Sequence, residues 1–423
     1  MQMNESLVRV SNDDFGSYMT GFFTIGLDIG LTEGDLFEQL RGEDLATFVH
    51  EYIHFLQDIT TTSGLSVFNW LAKSIQADIY ETFHSEESIE VPRISGVENA
   101  DAETQLQVFY RGDNEYRKIH HISEIIEEPE DCLDEYVHDK ITKISIYYDD
   151  KETPYVFGNE CIKESIAYLI ESEKFHAQPR KHEIPYNACE MFCEYMYPEL
   201  AKRKDVIVLL AELSLRHYHS GLEFYKFVLD MKKNQRADLD ISKIRDIYLQ
   251  KVAFLDKNYE ERLRETRDSI DFLYPANTLF SEVNKWLKRA IKEAQNYRDT
   301  YAVPISQFMG FDNNQRDKYL RRLLYDIGMP LIRNRNQECF SLGETDLSYL
   351  LVPIAVYDAF GGKGKCFMYE SCQVHQHPCL DKNCFRSPWK QVEKERLCPF
   401  AAFWYHYSLS GKEIKYKSWL KNN

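Results

Sequence analysis

The motif H-E-x-x-H constrains this chain more than any other feature. It lies within residues 44–58, a largely apolar stretch without glycine that predicts a helix. Four residues of α-helix turn through ~400°, so His50 and His54 lie one turn apart on the same face. Two imidazoles in this arrangement can bind one zinc ion, and Glu51 beside them can act as the general base of a hydrolase. The alternative is a pair of core histidines that hydrogen-bond to carboxylates.

Charge and apolar runs restrict the partners and the compartment. The chain of 423 residues has a formal net charge of −17, which argues against nucleic acid as a partner. No apolar run approaches the ~20 residues that span a bilayer, and residues 1–6 lack the pattern of an export signal. We therefore expect a cytoplasmic protein without a membrane partner, whose ten cysteines are reduced. Its oligomeric state is left open.

A catalytic zinc ion usually takes three protein ligands, so the motif needs a further His, Asp or Glu. The predicted helix that follows Gly158 offers Glu160 and Glu164, which share one face because they are four residues apart. If both point at the motif helix, one can bind the metal and the other can orient a histidine. We expect the site to contain His50, His54 and at least one of these two glutamates.

Together, the segments 48–65 and 158–171 resemble the gluzincins, the branch of zinc metallopeptidases that includes thermolysin-like and aminopeptidase-like enzymes. The resemblance implies a zinc metallopeptidase that hydrolyses peptide bonds in protein or peptide substrates. It also implies that Glu51 is the catalytic residue and activates a zinc-bound water molecule.

Two registers of this resemblance imply different third ligands. Glu160 with Glu164 four residues later is similar to the thermolysin pattern, which implies Glu160 as the ligand. Glu164 with Ala167, and with Glu171 seven residues later, resembles the aminopeptidase pattern and implies Glu164 instead. We favour Glu164, because the small Ser165 and Ala167 after it would permit close packing of the two helices. Glu160 stays open as an alternative ligand or as an orienting residue.

The apolar pattern predicts an α+β fold in which helices predominate. A β-rich strand at 19–29 precedes the motif helix, and a second helix at about 66–83 follows a Thr/Ser/Gly break. A hairpin at 143–157 leads into the glutamate-bearing helix at 159–174, and amphipathic helices occupy much of 188–296. We expect a zincin-like core with a small sheet at 1–187, a helical lobe at 188–345, and a Cys-rich segment at 346–423.

Half of the cysteines fall within 33 residues near the C-terminus, and they are Cys366, Cys372, Cys379, Cys384 and Cys398. Thiolates favour zinc or an iron–sulfur cluster, and four of them would complete a coordination sphere. The window contains no C-x-x-C pair, so a loop-rich segment with reduced thiols is the alternative. We predict a second, structural metal site here, and we favour zinc over an iron–sulfur cluster.

Two other functions stay open. Glu51-x-x-His54 and Glu173-x-x-His176 are both E-x-x-H pairs, which are typical of oxidase-like helical bundles with a carboxylate-bridged di-iron site. This interpretation leaves His50 without a role and requires the glutamate-bearing helix to continue through His176. The other function is that of a catalytically inactive, zinc-binding interaction protein, against which the intact Glu51 argues.

Overall fold

The computed structural model describes residues 16–31, 36–86, 88–92, 102–130, 141–149, 151–177, 183–341 and 345–417. In this part of the chain the fold is α+β with helices predominating, as the sequence predicts. Residues 1–6, on which the expectation about an export signal depends, lie outside the described residues. None of the described helices is both long enough and apolar enough to cross a membrane.

The helices are numbered in chain order. They are α1 (Leu36–Gln39), α2 (Glu43–Thr60), α3 (Thr62–His84), α4 (Ala102–Arg111), α5 (Asn159–Phe175), α6 (Ala188–Met196), α7 (Pro198–Ala201), α8 (Lys204–Ser214), α9 (Ser220–Lys233), α10 (Ile241–Val252), α11 (Asp256–Leu273), α12 (Ser281–Tyr301), α13 (Gln307–Gly310), α14 (Asn313–Asp326), α15 (Leu351–Phe360), α16 (Tyr369–Val374) and α17 (Pro399–His406). Short 3-10 helices lie at Ala253–Leu255, Leu347–Leu350, Lys382–Phe385 and Pro388–Glu393.

The strands of the described residues form small sheets. One sheet has the order β1 (Gly16–Met19), β2 (Thr24–Leu27), β9 (Leu331–Asn334) and β10 (Cys339–Phe340). Its outer pairs are antiparallel, whereas β2 and β9 are parallel. The other sheets are the antiparallel β5 (Ile122–Glu130), β6 (Ile141–Tyr148) and β7 (Tyr155–Val156), the parallel β3 (Ser88–Val91) with β11 (Glu413–Tyr416), and the antiparallel β4 (Arg117–Lys118) with β8 (Glu183–Ile184).

Residues 19–29 form part of a hairpin, so the prediction of one continuous strand is wrong. Strand β1 ends at Met19, and the chain turns before β2 begins. Gly21 has a φ of 75°, a conformation that glycine adopts without steric cost. Its backbone N–H donates to the Asp58 carboxylate at 2.9 Å, so the motif helix holds the turn in place.

Helices α2 and α5 lie at the centre of the fold. Every residue is buried from Phe48 to Thr60 in α2 and from Asn159 to Glu171 in α5. Helix α2 packs against α3, α5, α12 and the strands β1 and β2. A helix that is buried on all sides belongs to the interior of a fold, so the polar side chains of α2 and α5 must find partners there.

The predicted hairpin before the glutamate-bearing helix is confirmed, because β6 and β7 pair antiparallel and α5 begins at Asn159. Residues 188–326 consist mainly of helices, in the region predicted as a helical lobe. Strand β9 follows them and pairs with β2 in the sheet that β1 and β2 begin. The division of the chain at 187 and 345 stays a prediction.

Candidate metal centre

The two motif histidines face the same point beside α2. Their Nε2 atoms lie 3.2 Å apart, and their ring centroids lie 4.9 Å apart. Only 3% of His50 and 1% of His54 is exposed. The helical spacing therefore brings both imidazoles to one enclosed site, as the motif predicts.

Helix α5 brings Glu164 to the same point. Its Oε2 atom lies 3.2 Å from His50 Nε2 and 3.5 Å from His54 Nε2. The first turn of α5 is held by Asn159, whose side chain donates to Ser63 Oγ at 3.0 Å. Among the described residues, His50, His54 and Glu164 are the group of metal-ligating side chains whose donor atoms all lie within 4.8 Å of one another.

The Nδ1 atom of each imidazole has an acceptor other than Glu164, which leaves the lone pair of the neutral ring on Nε2. His50 Nδ1 donates to Glu171 Oε2 at 3.0 Å. His54 Nδ1 donates to Gln57 Oε1 at 2.9 Å, because the Gln57 amide nitrogen donates to the Lys163 carbonyl oxygen at 2.9 Å. When both rings are neutral, each carries its one N–H on Nδ1, and both Nε2 atoms present lone pairs toward Glu164.

In that neutral state three acceptor atoms converge without a donor between them. Glu164 Oε1 is also buried, and it has no hydrogen-bond partner among the described residues. Uncompensated acceptors in a buried site attract positive charge. Two imidazoles and one carboxylate are also the ligands of a zinc site that keeps a fourth position open. The residues therefore fit a zinc ion.

The pKa values of these side chains also indicate that the site favours positively charged groups. Burial lowers the pKa of His50, but its hydrogen bonds to Glu164 and Glu171 outweigh burial and hold the pKa well above its usual value. Burial also opposes the charged form of His54, and the Glu164 carboxylate again raises the pKa. Burial raises the pKa of Glu164, but the neighbouring histidines lower it further than burial raises it. The carboxylates thus favour protonated histidines, whose protons a bound metal ion would displace.

The structure separates the two candidate glutamates. Glu164 joins the histidines, whereas Glu160 Oε2 accepts a hydrogen bond from Arg111 Nε at 3.2 Å and lies outside the group. The hydroxyl of Ser165 has its partners outside α2. It donates to the Pro185 carbonyl oxygen and accepts from the backbone N–H of the first turn of α6, both at 3.1 Å. Glu164, the favoured ligand, thus lies with the two histidines. That the small Ser165 and Ala167 permit close packing of the two helices stays a prediction.

A buried ion pair, which the sequence analysis missed, fastens α5 to α2. Lys163 Nζ lies 2.9 Å from Asp58 Oδ1, and both side chains are buried. Asp58 Oδ2 accepts hydrogen bonds from the Tyr18 hydroxyl at 3.0 Å and from Gly21 N. The Tyr18 ring in turn stacks on His54, with ring centroids 6.2 Å apart. The i,i+4 spacing of His54 and Asp58 is the signal that could have pointed to this cluster.

Glu51 lies between α2 and the edge strand β1, and 1% of it is exposed. Gly16 in β1 leaves the room for its carboxylate. A β-carbon at Gly16 would lie 2.8 Å from Glu51 Oε1 and 2.6 Å from Thr47 Cγ2. The carboxylate is therefore placed by packing against a strand, next in sequence to His50.

The second E-x-x-H pair does not reach the site. Helix α5 ends at Phe175, and His176 has a φ of 60°, outside the helix. Glu173 is half-exposed and forms an ion pair with Lys204 at 2.8 Å. The di-iron interpretation requires a helix that continues through His176, and the structure contradicts this requirement.

The five C-terminal cysteines do come together. Cys366, Cys372, Cys379, Cys384 and Cys398 all line one cavity, and all five thiols are free. His377 lines the same cavity. The structure therefore supports the predicted cluster of side chains, while the identity of a metal there stays a prediction.

The candidate centre combines a helix that carries the H-E-x-x-H motif with a glutamate from a second buried helix. Its two imidazoles and one carboxylate match the ligand set of the thermolysin type of catalytic zinc site. This likeness rests on the residues of the site alone. No family model, curated protein or solved structure matches the chain.

Proposed function

We propose that this chain is a zinc-dependent metallopeptidase of the gluzincin type, which hydrolyses peptide bonds in protein or peptide substrates. The observation that carries the proposal is the convergence of His50 Nε2, His54 Nε2 and Glu164 Oε2 within 3.5 Å. Glu51 follows the first ligand directly, as the hydrolytic motif requires. The sheet that contains β1, together with α2 and α5, would form the zincin-like core.

The roles of the side chains follow from their positions. His50, His54 and Glu164 would hold the zinc ion, which supplies a Lewis acid that polarises the scissile carbonyl and acidifies water. Glu51 would take a proton from the attacking water molecule and deliver it to the leaving amine nitrogen. One C–O bond then forms and the peptide C–N bond breaks, so the products are a carboxylate and an amine.

Gln57→Ala is expected to weaken zinc binding by ~10–100-fold, the usual effect of removing a group that orients a metal ligand. The variant removes the acceptor for His54 Nδ1 and the hydrogen bond to the Lys163 carbonyl oxygen. The His54 ring therefore loses the contact that fixes its orientation. Zinc affinity is measured by competition with a chelator. Gln307→Ala is the matched control, since that amide bonds to the Val303 carbonyl outside the site. Equal affinities in the two variants would contradict the orienting role.

Zinc removal and zinc return test the function itself. We expect the zinc-loaded full chain to cleave members of a proteome-derived peptide library, which mass spectrometry detects as new peptide termini. Treatment with a chelator should stop cleavage, and added zinc should restore it. Cleavage that continues in the chelator would contradict a metal-dependent mechanism.

The enclosure of the site supports a second candidate, a zinc-binding interaction protein without catalysis. At most 3% of His50, Glu51, His54 or Glu164 is exposed. A peptide must therefore displace covering residues before it can reach Glu51. Under this candidate the chain binds zinc and cleaves no member of the library, so the same experiment distinguishes the two functions.

We further propose that the chain acts in the cytoplasm. Every cysteine that the structure describes is free, which fits a reducing compartment. The net charge of −17 favours protein or peptide substrates over nucleic acid.

A further inference from the structure

The five C-terminal cysteines surround a cavity that the proposed peptidase site does not use. Apolar groups such as Met368, Leu380 and Phe400 complete the wall of the cavity. The cysteines come from separate short elements: Cys366 precedes α16, Cys372 lies within it, Cys379 follows it, Cys384 lies in the 3-10 helix Lys382–Phe385, and Cys398 is the N-cap of α17. The chain thus folds back repeatedly to bring these sulfur atoms around one space.

Backbone hydrogen bonds hold the cysteine-bearing loops together. Cys366 N donates to the Cys384 carbonyl oxygen, and Cys372 N donates to the Met368 carbonyl oxygen, both at 2.8 Å. His377 N donates to the Cys372 carbonyl oxygen, also at 2.8 Å. The positions of the cysteines are therefore set by the fold of this segment.

Two of the sulfur atoms accept hydrogen bonds. Gln391 Nε2 donates to Cys384 Sγ at 2.9 Å. Ala401 N donates to Cys398 Sγ at 3.5 Å, at the start of α17. Donors of this kind stabilise a thiolate, which is the form that binds metals, and in iron–sulfur proteins they tune the cluster.

Cys379 differs from these two cysteines. Its Sγ atom lies 3.2 Å from the Arg396 carbonyl oxygen, which can only accept a hydrogen bond. The Cys379 thiol therefore donates to this oxygen, a contact that a metal-bound sulfur could not make, so Cys379 is the poorest metal ligand of the five. The remaining four cysteines equal the number of thiolates that an iron–sulfur cluster commonly takes.

The spacing of the sulfur atoms argues against a single zinc ion. With Zn–S bonds of about 2.3 Å, tetrahedral geometry places four thiolates roughly 3.8 Å apart. Among the described residues, no three of these thiols lie within 4.8 Å of one another. An iron–sulfur cluster keeps its thiolates farther apart, because an inorganic core lies between them.

We propose that this cavity binds an iron–sulfur cluster through Cys366, Cys372, Cys384 and Cys398, with Cys379 as a neighbouring thiol that is not a ligand. This preference reverses the expectation of zinc from cysteine content alone. The cluster would cross-link α16, the 3-10 helix Lys382–Phe385 and α17. The proposal is independent of the peptidase function.

The test uses the full chain, purified without oxygen and incubated with ferric iron, sulfide and a thiol reductant, which reduces part of the iron to the ferrous state. We expect iron and acid-labile sulfide to bind in about equal amounts, with the visible absorption of thiolate-ligated iron. Cys384→Ser and Cys398→Ser should each lose most of the bound iron and sulfide. Cys379→Ser is the matched control and should retain both. His50→Ala should also retain the cluster, which separates this site from the peptidase centre.

Bound metal without acid-labile sulfide in the wild-type chain would overturn the proposal, and so would a chain that binds neither iron nor sulfide. Equal losses in Cys379→Ser and Cys384→Ser would overturn the ligand assignment. Circular dichroism shows whether each variant folds. The wild-type measurement decides the proposal even if one serine variant does not fold.

Discussion

Glu51→Gln is expected to slow peptide cleavage by ~10²–10⁴-fold, the range that a positioned general base contributes. Glutamine has nearly the same shape and fits the space beside Gly16, but its amide does not accept a proton from water. The three proposed zinc ligands are unchanged, so zinc should stay bound. Initial cleavage rates on one library peptide and the zinc content by mass spectrometry measure both effects.

The matched control for this variant is Glu160→Gln. Glu160 is also a buried glutamate, but it pairs with Arg111 outside the ligand group. This control should keep both zinc and activity. Wild-type cleavage by the Glu51→Gln variant would exclude Glu51 as the general base, whatever its zinc content.

Glu164→Ala is expected to lower the affinity for zinc by more than ~100-fold. Removing a residue that only orients a ligand already lowers metal affinity by about 10–100-fold, so removing the ligand itself should cost more. The variant removes one of three ligand atoms and the only carboxylate among them. Zinc per chain after dialysis is measured by mass spectrometry, and circular dichroism reports whether the helices remain. His50→Ala should show the same loss.

Glu160→Ala tests the other register of the family resemblance. Because its carboxylate bonds to Arg111, we expect this variant to retain one zinc ion per chain at the H-E-x-x-H site. Loss of zinc from Glu160→Ala but not from Glu164→Ala would make Glu160 the ligand and would contradict the geometry of the site.

The motif helix and the ligand helix were predictable because their formation depends on contacts within one turn. Helix α2 spans Glu43–Thr60 around the predicted 44–58, and α5 spans Asn159–Phe175 against the predicted 159–174. Placing His50 and His54 on one face needs only the helical repeat. Local spacing therefore sufficed for the first half of the site.

Local spacing does not decide between Glu160 and Glu164. Both occupy the same side of α5, and the difference comes from Arg111, which lies 49 residues before Glu160 in the chain. The orienting partner Gln57 was equally hidden, because its role depends on the Lys163 carbonyl of another helix. Tertiary contacts of this kind leave no periodic pattern in the sequence.

The start of α3 shows how a glycine can mislead a prediction from sequence. The Thr/Ser/Gly segment predicts a break until about residue 66, but α3 begins at Thr62. Thr61 caps the helix by accepting a hydrogen bond from Gly64 N at 3.0 Å. A β-carbon at Gly64 would lie 2.3 Å from Asp58 Cα, so this glycine allows two helices to approach closely. The segment therefore shapes a tight corner and does not form a loop.

The sheet was the least predictable part of the core. Strand β2 pairs in parallel with β9, with Thr24 opposite Leu331. The alternation of residues within a strand indicates which side is buried, but it does not identify a partner about 300 residues away.

The two ligand-bearing helices are joined by bonds that do not involve a metal. Gln57 links His54 to the Lys163 carbonyl, and the Lys163 ammonium group reaches back to Asp58. These bonds between protein groups hold the three donor atoms in a converging arrangement. In many small metalloproteins the binding of the ion must also drive folding. Here the conformational entropy of ordering the donor groups is lost when the chain folds, not when the ion binds. Zinc should therefore enter and leave with little change in backbone order.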